Sequence, residues 1–402
     1  MFMNTLSIPL TALFLSLIIL FGCKNKEPNQ IIENCKTIDI IKYINKDIKL
    51  NISDYIDTLY YIKPEDIINA PIGRYNKVIY KNDTIVILDD KLSVFIYNSS
   101  GKYINSFNKK GRGPGEYEFI SRLDLYHNKI YILDYYNNIM VYNFKGEQLL
   151  KVKTPFRPSF IKESYNRIFT YTVPPNLISS DFYRFSVFDP ELNKLNVFNR
   201  TFYKNMDLDV YTSVYNNLGN TSFYIFKDTL SFCESIRDTI FRVTKDYKII
   251  PKYYLSLGSK ALPFNISLTK EGLRSPDEYF QISGVFETEK LIFIKVLLMP
   301  ERHANYILIN KSDYYGGNLV FNYNIIDYGF HNDFDGGYPF WPQYQVDEKT
   351  MITWFGARFK TMFSDDYFSQ INPKYPKLAE QFSNEIFSKD YPNELIMIVK
   401  FK

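Results

Sequence analysis

The densest group of chemically capable residues is Gly111-Arg112-Gly113-Pro114-Gly115-Glu116-Tyr117. A guanidinium and a carboxylate on a glycine-rich loop could grip a carboxylate or sugar hydroxyls, Arg112 through its planar fork. The loop is not a phosphate cradle, because no Gly-Lys-Ser/Thr follows it and no helix opens after it. Its other reading is a tight crossover between strands, with glycines for positive φ and Pro114 for rigidity. A second group, Trp341, Tyr344, Trp354 and Phe355, offers rings that stack on sugars or anchor a partner, or that fill the space between packed sheets. Arg112, Glu116, Tyr117, Trp341 and Tyr344 are therefore the candidate ligand-binding residues, with both readings open for each.

Other chemistries find less support. The histidines His127, His303 and His331 stand far apart in the chain, whereas a metal centre needs several converging ligands. Asn332-Asp333-Phe334-Asp335-Gly336-Gly337 has the flavour of a calcium loop. His331 and Pro342 occupy positions where a full loop needs acids, so a turn braced by Asp side chains is the expectation. There is no Gly-x-Ser-x-Gly and no Ser-His-Asp order. No catalytic residue, metal or cofactor is assigned. A hydrolase or lyase reading survives only if carboxylates from distant segments meet in a channel.

The N-terminus carries a different chemistry. Leu6 to Phe21 is an apolar run too short to span a membrane comfortably and of signal-peptide length. It stops at Leu20-Phe21-Gly22-Cys23, followed at once by polar Lys24-Asn25-Lys26. Leu, a small residue and Cys at that boundary resemble a bacterial lipobox, in which the cysteine is acylated and becomes the mature N-terminus. Phe21 is bulkier than usual there, and Met1 to Thr5 holds no Lys or Arg. The expectation is residues 1–22 as signal peptide, Cys23 as the lipidation site, and attachment to a bilayer through acyl chains worth about 0.8 kcal/mol per methylene. In an exported chain Cys35 and Cys233 could pair; the sequence does not decide it.

These residues need a frame, and the chain's wording supplies one. Ile85-Val86-Ile87-Leu88-Asp89, Tyr97-Asn98 and Gly101 recur as Ile130-Tyr131-Ile132-Leu133-Asp134, Tyr142-Asn143 and Gly146. Each copy is a strand, a turn, a second strand and a closing glycine, the pattern of a β-propeller blade. The 402 residues are 46% hydrophobic, with 35 Tyr and 34 Phe, which favours sheets. A net charge of +4 is too even for a nucleic-acid surface. Residues 23–48 are polar and aperiodic and predict a flexible tether; residues 49–402 form the folded domain. Later strands are expected at Ile168–Thr172 and Phe185–Asp189, at Thr221–Phe226, Thr229–Glu234 and Thr239–Val243, and at Leu291–Leu298 and Tyr306–Asn310. Leu319–Ile326, Thr350–Phe355 and Leu395–Phe401 make the last sheet. Leu378, Phe382 and Ile386, four apart behind Pro376, predict one short helix over 376–389. A ring of sheets cannot leave its end strands unpaired, so Leu395–Val399 should join a sheet containing N-terminal residues.

Residues 50–402 resemble the NHL-like six-bladed β-propeller lipoproteins common in Bacteroidetes, most of them of unknown function. The likeness rests on Tyr97 to Ile104 followed by Gly111 to Tyr117, and more weakly on Ile52 to Ile62, Asp238 to Phe241 with Ile250 to Tyr253, and Asn332-Asp333 with Pro339 to Pro342. It implies an all-β fold of six four-stranded antiparallel blades, and it carries no established catalytic residue. The resulting expectation is an exported binding module of the cell envelope, an outer-membrane lipoprotein facing the periplasm or the surface, with a protein, peptide or glycan ligand and no nucleic-acid partner.

Overall fold

The computed structural model describes residues 35–67, 71–172, 183–200, 221–234, 238–261, 278–299, 303–322, 327–355, 368, 371–382 and 394–402. Cys23 and the apolar run before it lie outside the described residues. The chain begins with β1 (Lys36–Asp39), helix α1 (Ile41–Ile44) and β2 (Ile56–Ile62). Sheets of four antiparallel strands then follow in chain order. The first holds β3 (Tyr75–Lys81), β4 (Thr84–Asp89), β5 (Val94–Asn98) and β6 (Tyr103–Phe107). The second holds β7 (Ile120–Tyr126), β8 (Lys129–Asp134), β9 (Asn138–Tyr142) and β10 (Gln148–Lys153). The third is β11 (Pro158–Ser164), β12 (Arg167–Thr172), β13 (Tyr183–Phe188) and β14 (Lys194–Arg200). The fourth is β15 (Ser222–Phe226), β16 (Thr229–Cys233), β17 (Thr239–Val243) and β18 (Ile249–Ser256). The fifth is β19 (Tyr279–Glu287), β20 (Leu291–Met299), β21 (His303–Asn310) and β22 (Gly316–Asn318). A ribbon of β23 (Val320–Asn322) and β24 (Asp327–Tyr328) precedes the sixth sheet, which combines β25 (Tyr344–Gln345), β26 (Thr350–Phe355) and β27 (Leu395–Phe401) with β2.

The repeated sequence words have local causes. Asn82-Asp83, His127-Asn128, Tyr165-Asn166 and Lys227-Asp228 all have positive φ at both residues, the two-residue hairpin turn whose twist suits antiparallel strands. Each joins the first strand of its sheet to the second. The repeated Asp closes the far end of the second strand. Asp89 accepts from the backbone N–H of Ser93 at 2.7 Å and of Lys91 at 3.0 Å, and Asp134 accepts from those of Asn138 and Tyr136, both at 2.8 Å.

The second strands read as unbroken apolar runs because both faces of each sheet are covered. On β8, Ile130 and Ile132 belong to a core shared with the first sheet, while Tyr131 and Leu133 belong to one shared with the third. The third and fourth sheets share Phe169, Phe185, Leu230 and Phe232; the fourth and fifth share Ile240, Ile292 and Ile294. On β27, Leu395, Met397 and Val399 pack with Leu291 and Phe293 of the fifth sheet, and Ile396 and Ile398 pack with the first. As the closure argument requires, β27 pairs antiparallel with β2, with Leu59 opposite Val399.

Two expectations need correction. Residues 35–48 are not a free tether: β1 pairs in parallel with β18, from Lys36 opposite Tyr253 to Asp39 opposite Ser256. Ile38, Ile40 and Tyr43 are buried with the fourth and fifth sheets. The polar composition hid these three side chains, which are enough to seat the segment and cover the edge of β18. Leu319–Ile326 does not enter the last sheet; among its described residues, β23 pairs only with β24, and β2 takes the vacant edge place. Helix α2 (Pro376–Gln381) begins at the expected proline; residues 383–389 of the expected helix lie outside the described residues. Phe382 is buried against Tyr61 and Tyr338, whereas Ile386 lies outside the described residues. No disulfide joins Cys35 and Cys233.

A candidate ligand cavity between the inner strands

One strand from each of the six sheets reaches the same cavity of about 190 Å³: Lys77 of β3, Arg122 of β7, Lys162 of β11, Phe223 of β15, Phe286 of β19 and Tyr344 of β25 all line it. Register explains the convergence. Lys77, Arg122, Phe160 and Ser222 each stand at the fifth residue before the hairpin turn of their sheet, and Asp124, Lys162 and Tyr224 at the third. Side chains two apart share a face of a strand, so in the second, third and fourth sheets both positions reach the cavity, and in the first Lys77 does. A second hollow of about 340 Å³ adjoins the first, sharing Arg122, Ser222, Phe286 and Gln343 and adding Lys295, Tyr328 and Trp341.

The walls differ in character. Phe160 and Phe223 stack at 3.7 Å and, with Phe286, make an apolar side. Lys77, Arg122 and Lys162 line the same cavity, with Asp124 the carboxylate among the lining residues. Lys162 donates to the Tyr344 hydroxyl at 2.9 Å and to Asp124 at 3.4 Å. The other Asp124 oxygen accepts from the Glu163 backbone N–H at 3.3 Å. Burial works against the Lys162 charge, but Asp124 holds it as an ammonium, above the ordinary lysine range. Lys77 has the opposite fate. Burial, then the neighbouring charges of Lys162 and Arg122, pull its pKa down to about 7, with Asp124 only partly offsetting them. Burial also lowers Arg122 and Lys295. Arg122 is nevertheless solvent-accessible, which fits a side chain surrounded by protein but facing a wet cavity.

The residues singled out in the sequence divide between two places. Tyr344 lines the cavity, its ring 4.6 Å and 4.8 Å from the Lys162 and Lys77 ammonium groups. Trp341 lines the adjoining hollow while packing edge-on against Phe293 and Tyr306. Arg112, Glu116 and Tyr117 lie apart, on the crossover from β6 to β7. Arg112 is exposed and pairs with Glu118. Glu116 folds back over its own loop and accepts from the Gly113 N–H at 2.7 Å. Tyr117 is wholly buried, donating to the Leu92 carbonyl at 2.9 Å and accepting from the Lys109 N–H at 3.1 Å; burial pushes it up to about 12. That geometry is what a tight crossover requires.

The Asn332–Gly337 carboxylates are also in structural use. Asp333 accepts from the Ser53 hydroxyl at 2.7 Å and its N–H at 3.0 Å, and Asp335 from the Gly337 N–H at 3.0 Å. Among the described residues no group of His, Cys, Asp or Glu is arranged to hold a metal. His127 sits in its hairpin turn, stacked on Tyr126 at 4.0 Å. Lys77, Arg122, Asp124, Lys162 and Lys295 went unnoticed in the sequence. For Lys77, Arg122, Asp124 and Lys162 the signal was a charged residue five or three places before a two-residue turn; Lys295, on the second strand of its sheet, shares no such spacing.

The chain belongs to the family described as Domain of unknown function (DUF4934), whose model matches residues 35–400. Among solved structures it is similar to one described as an exported protein of Bacteroides fragilis, at 18% identity and TM-score 0.64, covering 91% of this chain and 100% of that one. That similarity shows a shared fold. It also matches a DUF4221 family member from Bacteroides vulgatus, at 9% identity and TM-score 0.47, covering 86% and 97% of the two chains. Virginiamycin B lyase from Staphylococcus aureus matches at 11% identity and TM-score 0.37, covering 65% and 87%. No curated protein matches the sequence.

Proposed function

We propose that this member of the family is an exported, lipid-anchored six-bladed β-propeller of the NHL-like kind, working as a binding module of the cell envelope with its ligand seated in the central cavity. The observation that carries this reading is the meeting of six inner strands, one from each sheet, on a single hollow. A rigid frame that brings side chains from six distant segments to one place is suited to recognition. The apolar run ending at Cys23 and the similarity to a protein described as exported support the envelope location. A hydrolase or lyase at the same cavity would need a general base. The carboxylate there, Asp124, is engaged by Lys162 and the Glu163 N–H, which leaves Lys77, its pKa lowered to about 7, as the base that the enzymatic alternative would use.

The test uses the full chain. Cys23→Ser is expected to move the protein from the membrane fraction to the soluble fraction. Affinity capture from envelope extract is expected to recover a protein or glycan that is absent with an unrelated envelope bait. Unchanged fractionation would sink the anchor, and turnover of glycan or peptide substrates in a broad screen would replace the binding reading with the enzymatic one.

A further inference from the structure

The charge balance of the cavity says what kind of ligand it takes. Lys77, Arg122 and Lys162 face it, with Lys295 in the adjoining hollow. Asp124 is committed to Lys162. Among the described residues no carboxylate lies within ion-pair distance of Lys77 or Arg122. Arg122 donates to the backbone carbonyl of Ser121 at 2.8 Å, which leaves most of its guanidinium donors for the cavity. Crowded cations that outnumber their counter-charges are costly to a fold, and such perturbed groups mark functional sites more often than chance. An anion between them would remove that cost. Phe160, Phe223 and Phe286 are also among the lining residues, and Phe160 and Phe223 stack on each other. These side chains offer nothing to a bare inorganic anion and apolar aromatic surface to a ring.

Resting on the reading of this cavity as the ligand site, we propose that it binds a small organic carboxylate carried on a ring. Lys77 and Arg122 serve as counter-ions for the carboxylate, and the Phe160–Phe223–Phe286 wall takes the ring. The two hollows together are of the size that encloses small ligands. The guanidinium fork matches a carboxylate in two parallel hydrogen bonds, and the lysine adds a point charge.

The experiment is calorimetric titration of the full chain in detergent with D-glucuronate and benzoate, each beside its neutral analogue, D-glucose and benzyl alcohol. At least one acid is expected to bind saturably and its neutral analogue not at all. The acid that binds tells whether the ring is a sugar or an arene. Lys77→Met and Arg122→Gln should each weaken that binding about tenfold or more, as the loss of a charge-assisted hydrogen bond implies. Lys77→Arg keeps the charge and should retain most of the affinity; it serves as the reference if Lys77→Met folds poorly, and circular dichroism checks the fold of each variant. Absence of binding by both acids at millimolar concentration, equal binding of acid and neutral analogue, or folded variants with unchanged affinity would overturn the proposal. An envelope partner captured equally by the wild type and by Lys77→Met would retain the binding module and eliminate the carboxylate site. Saturable acid binding without any captured partner would retain the carboxylate site and eliminate the protein or glycan partner.

Discussion

Lys77 is the residue whose behaviour most directly reports the cavity. It is faced by Arg122 and Asp124 of β7, Lys162 of β11 and Tyr344 of β25. Its pKa is lowered from the ordinary 10.5 to about 7. Between those values the unfolded chain binds more protons than the folded one, so stability rises with pH across that window. The contribution is fully present above the unfolded value and is lost as pH falls through about 7. Lys77→Met removes the titration. Denaturant unfolding at pH 6 and pH 9 should show the variant gaining on the wild type at the lower pH, and an identical difference at both would refute the account. Repeated residues elsewhere have plainer roles. Asp89 and Asp134 occupy matching positions because each ties a loop by accepting backbone N–H groups, and neither lines the cavity.

At the scale of the element, one turn conformation survives where its sequence does not. Gly101 and Gly146 close the first two sheets with φ of +83° and +78°. The matching turns of the third and fourth sheets place Leu192 and Tyr247 in the same region, at +62° and +64°. Leu192 is buried in the core shared by the second and third sheets, and such packing offsets a strain of roughly 1–3 kcal/mol. Gly101 has no such latitude. A Cβ there would stand 2.5 Å from the Lys63 carbonyl oxygen, which is backbone and cannot swing aside. Gly101→Ala is expected to cost about 2 kcal/mol or more, measured by denaturant midpoint; a loss below about 0.5 kcal/mol would contradict the fixed approach of the two chains. Two of the inner strands, β11 and β19, were not legible in the sequence, whereas β15 was. β11 carries Lys162 and Glu163 in its middle, and β19 carries Gln281, Ser283 and Gly284. Facing a wet cavity makes a strand polar, so the apolar signal is weakest where the candidate site lies.

At the scale of the molecule, the sixth sheet joins the two ends of the folded chain. β27 pairs with β2 on one side and β26 on the other, and its two faces pack on the fifth and first sheets. Leu395, Ile396, Met397 and Val399 are completely buried, each worth about 1.5–3 kcal/mol of burial. Deleting residues 394–402 would expose those faces and leave two strand edges open at once. Loss of soluble expression is the expected result. A truncated chain that melts like the full one would show that the sheets hold together without this strand.

The sequence alone determined what depends on neighbours along the chain: strands from apolar runs, hairpins from their turn residues, and the helix start from its proline. It also fixed the need for a C-terminal strand to meet an N-terminal one, since unpaired edges are unstable in any arrangement. Only the tertiary structure decided which charges share a space. Lys77, Arg122, Lys162 and Lys295 belong to four different sheets, and no local rule relates them. The same structure placed Tyr344 at the cavity and Arg112 far from its lining, because a side chain's surroundings are set by how whole sheets pack.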